Sequence, residues 1–97
     1  MFDGNFSTTF WTDFSIADTF GVDAIKDTFA RAFAEWKDNY KYLTELVIVL
    51  NWKLWAHYEE GRNEYAELYN EYYEKAYRYG LDNLEGDELS YFYWTLD

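Results

Sequence analysis

Between residues 22 and 38, "VDAIKDTFARAFAEWKD", apolar side chains recur at Ile25, Phe29, Ala32, Phe33 and Trp36. Steps of 4, 3, 1 and 3 place these residues on one face of an α-helix. Lys26, Arg31 and Lys37 fall away from that face, beside acids, so the segment is close to neutral. Residues 40–60, "YKYLTELVIVLNWKLWAHYEE", form the longest apolar pattern. Leu43, Leu46, Val47, Leu50 and Leu54 make one stripe, and Ile48, Trp52 and Trp55 make a second. A helix apolar on more than one side is usually central in a bundle. The β-branched run "VIV" alone would suit a strand, but the length and the lack of turn residues favour a helix, which Gly61 ends.

A third pattern covers residues 63–80, "NEYAELYNEYYEKAYRYG", with Asn63 as the expected N-cap. Tyr65, Leu68, Tyr69, Tyr72, Ala76 and Tyr79 share one face, and Glu64, Glu67, Glu71 and Glu74 share the other. Residues 13–20 suggest a short helix with Gly21 as its C-terminal cap. Asp87 is placed to cap a last short helix that turns Leu89, Phe92 and Tyr93 inward. Residues 1–11 show no clear period and read as an irregular arm. The expectation is an all-α protein: one domain over residues 1–97, a small helical bundle of three main helices plus one or two short ones.

Composition sharpens this picture. Aromatic residues make up 25% of the chain, and large rings let a short chain bury enough area for a core. There is no cysteine, hence no disulfide and no thiolate metal site. There is no proline to interrupt long helices. The beginning, "MFDGNFSTTF", lacks the basic and apolar regions of a signal peptide. The longest aliphatic run, "LVIVL", is far below the ~20 residues that span a bilayer. These features lead to the expectation of a cytoplasmic protein without a membrane partner.

Catalytic chemistry finds little footing. His57 is the single histidine; Glu60 follows it by three residues. A di-metal carboxylate bundle needs a second such pair and two further glutamates. The reading of His57 is therefore a half-buried structural side chain. "DNLEGDELSYFY" lacks the oxygen ligand at its third position and the glutamate at its twelfth that a calcium loop requires. No phosphate-binding glycine loop or serine elbow is present. The expectation is no enzyme, no cofactor and no metal.

The net charge is −11, which disfavours direct binding to nucleic acid or to an acidic membrane and permits a partner with a basic surface. The glutamates of residues 63–80 are offset by Glu71–Lys75 and Glu74–Arg78 spacings, so that face reads as self-paired. The excess lies at the ends. Residues 1–21 hold three acids and no base, and residues 82–97 hold five acids and no base. The same segments carry Phe10, Trp11, Tyr91 and Trp94. Chain ends often lie close together. Together these facts predict one acidic, aromatic patch for a basic protein partner, with Asp13, Asp18, Glu85, Asp87, Glu88, Tyr91 and Trp94 as contact residues. The alternative is that the end aromatics close the core and the acids confer solubility.

The stretch "AIKDTFARAFAEWKDNYKYLTELVIVLNWKLWAHYEE", with "GDELSYFY" and the closing "TLD", resembles small uncharacterised proteins of gut Firmicutes, often found in mobile or plasmid-like regions. The resemblance covers most of the chain. It implies a mobile-element accessory role and no particular site residue. By size and charge alone, such a role includes DNA-mimic inhibition of a host defence nuclease, of the anti-restriction or anti-CRISPR type. A third possibility is a self-assembling structural protein, a homodimer joined through Tyr73 and Tyr77, which lie off the main stripe.

Overall fold

The computed structural model describes residues 5–96. They form five helices: α1 (Asn5–Phe20), α2 (Val22–Trp36), α3 (Tyr40–Glu59), α4 (Asn63–Asn83) and α5 (Gly86–Leu96). The protein is all-α, with no strand among the described residues. The division into three main and one or two short helices is corrected in one place. From Asn5 onward the expected irregular arm is helical and continuous with residues 13–20. The first four residues of that arm lie outside the described residues. Phe10, Phe14 and Ala17, spaced i, i+4, i+7, are buried, and this packing holds a helix whose Thr-rich, aromatic start is locally weak.

Gly21 alone separates α1 from α2. Its φ of 110° is open to glycine, and its N–H donates to the Ala17 carbonyl at 3.1 Å. The chain therefore reverses in one residue and α2 lies along α1. Asn39 caps α3: its Oδ1 accepts from the backbone N–H groups of Lys41 and Tyr42 at 3.1 and 3.3 Å. Asn63 is the first residue of α4 rather than its cap; the capping position belongs to Arg62, whose side chain makes no capping bond. Helix α5 likewise starts at Gly86, so Asp87 sits in its first turn rather than at its cap.

Helices α3 and α4 form the most extensive pair, and α1, α2 and α5 pack around them. The core is rich in rings. Phe29 stacks on Tyr72 with centroids 4.1 Å apart, and Phe14 meets Tyr69 edge to face at 5.7 Å. Of the face expected on α4, Tyr69, Tyr72 and Ala76 are buried and Tyr65, Leu68 and Tyr79 pack at the edge. Tyr73 and Tyr77 do not stand off this core. They stack on one another at 5.9 Å, Tyr77 continues onto Phe92 at 5.6 Å, and both are half-buried. The reason is α5, which folds back over this side of α4. The two tyrosines thus lie at the edge of the core rather than wholly outside it.

The second stripe of α3 is also corrected. Trp52 and Trp55 remain 61% and 55% exposed, because none of the five described helices covers that side. No helix is long and apolar enough to cross a membrane among the described residues.

Helix α5 is anchored by one close approach. Phe92 is fully buried against Gly80, and a Cβ on Gly80 would lie 2.4–2.8 Å from three atoms of the Phe92 ring. Alanine in a helix interior normally gains up to ~1 kcal/mol over glycine. Overpacking costs about 1–3 kcal/mol, so the net expectation for Gly80→Ala is a loss. Thermal unfolding followed by circular dichroism should show a lower midpoint. A higher midpoint would mean that the Phe92 ring can move aside freely.

Candidate functional site

The acidic C-terminal segment becomes a surface through the geometry of α5. Phe92 faces inward, with Leu89 and Leu96 beside it, partly buried. The helical period then turns Asp87 and Trp94 outward and leaves Tyr91 at the flank. Trp94 is 82% exposed, and Tyr93 is exposed on the same helix. Tyr91 is half-buried, its ring edge to face with Tyr40 of α3 at 5.2 Å. Glu85, Asp87 and Glu88 are exposed and take part in no ion pair among the described residues. Five of the seven expected contact residues thus share one short helix and its leading loop.

Among the described residues, the acids near the two ends lie on separate helices. Within the same described residues, helix α1 packs on α2 and α3, α5 packs on α3 and α4, and α1 and α5 are not neighbours. Asp13 instead lines a separate groove of about 510 Å³ between α1 and α2. Phe10, Ala17 and Ala32 contribute to its apolar lining, Ile16 and Phe20 are exposed beside it, and Asp13, Asp27 and Glu35 lie along it. Asp27 is partly neutralised by Arg31, at 3.1 Å. The spacing of Glu71 with Lys75 and of Glu74 with Arg78 does not produce ion pairs among the described residues. Lys75 lies over the ring of Phe33 at 5.7 Å instead.

Asp18 is the clearest correction. It was expected on the acidic surface, and its side chain is only 9% exposed. It faces α3 and α4, where Lys53 and His57 occupy core positions four residues apart. Oδ2 accepts from Lys53 Nζ at 2.9 Å and pairs with His57 Nε2 at 2.9 Å, while Oδ1 accepts from the Tyr69 hydroxyl at 2.6 Å. Lys53 Nζ also donates to Ser15 Oγ at 2.7 Å and lies 4.4 Å from the centre of the Trp11 ring. His57 stacks on Tyr69, centroids 5.3 Å apart. It is buried outright, deeper than the half-buried position expected. Burial first, then the hydrogen bond to Asp18 and its charge, push the Tyr69 hydroxyl far above its ordinary value.

This cluster ties three helices with one carboxylate. Its chemistry is inward. With Nε2 engaged on Asp18, the other ring nitrogen, Nδ1, has no hydrogen-bond partner among the described residues. The Lys53 ammonium occupies the carboxylate that a cation would need. No group of three or more His, Asp or Glu side chains is arranged to hold a metal among the described residues.

A sign of the cluster was present in the pattern of α3. Lys53 and His57 continue the stripe of Leu43, Leu46 and Leu50 at steps of three and four. A cation at a core position requires a buried counter-charge. Comparison of the chain with protein-family models, with curated proteins and with solved structures returned no match, so the reading of its surfaces rests on their own chemistry.

Proposed function

We propose that this chain is a non-enzymatic regulator that binds a protein with a basic surface, using the outer face of α5. The observation that carries this reading is Trp94, 82% exposed on a helix whose acids form no ion pair among the described residues. A large ring flanked by uncompensated carboxylates suits a basic surface: the ring supplies buried area, and the charge supplies steering and orientation. Truncating a central tryptophan in an interface costs about 2 kcal/mol or more, roughly 30-fold in affinity.

The test uses the full chain as bait in a lysate of the source cells, beside two variants, Trp94→Ala and Asp87→Lys with Glu88→Lys. The expected result is one basic protein retained by the parent bait and lost by both variants. Equal retention by all three baits would sink the reading, as would capture of no protein at all. Duplex DNA is added as competitor. A partner that DNA displaces would identify its nucleic-acid channel as the surface bound, and the regulator would then act by imitating phosphates.

A further inference from the structure

The uncovered side of α3 carries an ordered pattern. Lys41, Glu45, Ile48, Trp52, Trp55 and Glu59 follow one another at steps of 4, 3, 4, 3 and 4. That is a heptad stripe, the spacing by which two helices lie along each other in left-handed packing. It extends along the helix for about 27 Å at 1.5 Å per residue. Its middle is apolar and open: Trp52 and Trp55 are more than half exposed and Ile48 is half-buried. Trp11 of α1 flanks it, edge to face with Trp52 at 6.1 Å, and Tyr58 stacks beside Trp55 at 5.7 Å.

The ends of the stripe have opposite charge. Lys41 stands at one end and Glu59 at the other, and neither forms an ion pair among the described residues. The six positions are also symmetric about residue 50. An antiparallel two-fold would set Lys41 over Glu59 of the other copy, Glu45 over Trp55, and Ile48 over Trp52. Each contact would then occur twice, as an isologous interface requires. A parallel alignment would put like charge on like charge. A uniformly basic or uniformly acidic partner would match only one end.

We infer that the outer stripe of α3 is a self-recognition surface, on which a second copy of this chain packs its own α3 antiparallel. The exposed parts of Trp11, Trp52, Trp55 and Tyr58 offer on the order of 500 Å² per copy, since such rings bury 150–250 Å² each when covered. Two copies then bury on the order of 1,000 Å², the lower bound for a specific interface, so the dimer is weak and reversible. The face of α5 is not part of it, and a dimer carries two such faces.

Sedimentation equilibrium of the full chain tests this, at loading concentrations from roughly 10 μM to 1 mM, the range in which an interface at that lower bound is half-formed. The expected result is a monomer–dimer equilibrium. Trp52→Ser with Trp55→Ser should give a monomer at every concentration, with far-UV circular dichroism confirming that the helices remain. Lys41→Glu alone and Glu59→Lys alone should each raise the dissociation constant roughly 5- to 10-fold, because each change places like charges at both ends of the pair. The double exchange, Lys41→Glu with Glu59→Lys, should restore it. A monomer throughout, a dimer indifferent to the two tryptophans, or a double exchange as weak as the single ones would each overturn the inference.

Discussion

Asp18→Ala is expected to lower the free energy of unfolding by about 3–5 kcal/mol, a large share of the stability of a domain this small. The substitution removes one carboxylate and leaves three donors without their acceptor: Lys53, His57 and Tyr69. The Lys53 ammonium is the costly one. Its side chain is only 7% exposed, and among the described residues Ser15 is the only other hydrogen-bond acceptor it touches. Urea unfolding curves of the two proteins, compared at constant slope, measure the difference. A loss below about 1 kcal/mol would mean that water reaches the ammonium and that the pair behaves as a surface bridge. A second variant separates charge from packing. Asp18→Leu with Lys53→Met removes both ions, and exchanging a buried pair for apolar side chains is often neutral or stabilising. It should recover most of the loss.

Alkaline pH is expected to unfold this protein through Tyr69. Burial, followed by the hydrogen bond and charge of Asp18, holds the phenol protonated in the folded state well above its ordinary value of 10.0. In the unfolded chain the same phenol releases its proton near that ordinary value. Above it the folded state therefore binds more protons than the unfolded state, and stability falls as pH rises. The contribution of Tyr69 is complete below about pH 10 and declines by about 1.4 kcal/mol for each further pH unit. Tyr72 is displaced in the same direction, by burial first and by Glu71 second, and adds to the decline. Tyr69→Phe should be less stable at neutral pH, having lost a hydrogen bond, yet show a shallower decline at alkaline pH. Urea midpoints at pH 8, 10 and 11 for both proteins decide it; parallel declines would show that Tyr69 ionises freely in the folded state.

The helices themselves were largely legible. α2, α3 and α4 begin at the residues that the apolar period marks and end within three residues of them, because each carries a stripe of four or more apolar side chains over several turns. The arm was not legible. Its first described turns have Thr8, Thr9, Phe10 and Trp11, all weak helix formers, and only contact with the rest of the chain outweighs that local preference. The positions of Phe10, Phe14 and Ala17 held a clue, three spaced residues too few to establish a period.

The surfaces divided in a similar way. Trp94 and its acids lie on the outside of α5 because Phe92 fixes which side faces in; Tyr93, expected inward beside it, is instead 51% exposed. Asp18 could not be told from Asp13 by its neighbours in sequence; its partners lie 35, 39 and 51 residues away. The exposure of Trp52 and Trp55 was hidden for the opposite reason. A second apolar stripe signals that something covers it, and sequence does not say whether the cover belongs to the same chain.

The Asp18 cluster also bears on how many ways this core can be filled. Rings make up a quarter of the chain, and contacts between rings tolerate sliding and exchange of neighbours. Hydrogen bonds to one carboxylate do not. Shifting α1 by a single turn along α3 would strand Lys53 in the core, so every slipped packing carries an uncompensated ion. The carboxylate thus acts as a register pin, and its contribution is singularity of the fold more than depth of the energy well. The doubly apolar variant would then keep its unfolding free energy while losing the sharp near-UV circular dichroism and dispersed NMR signals of one unique arrangement.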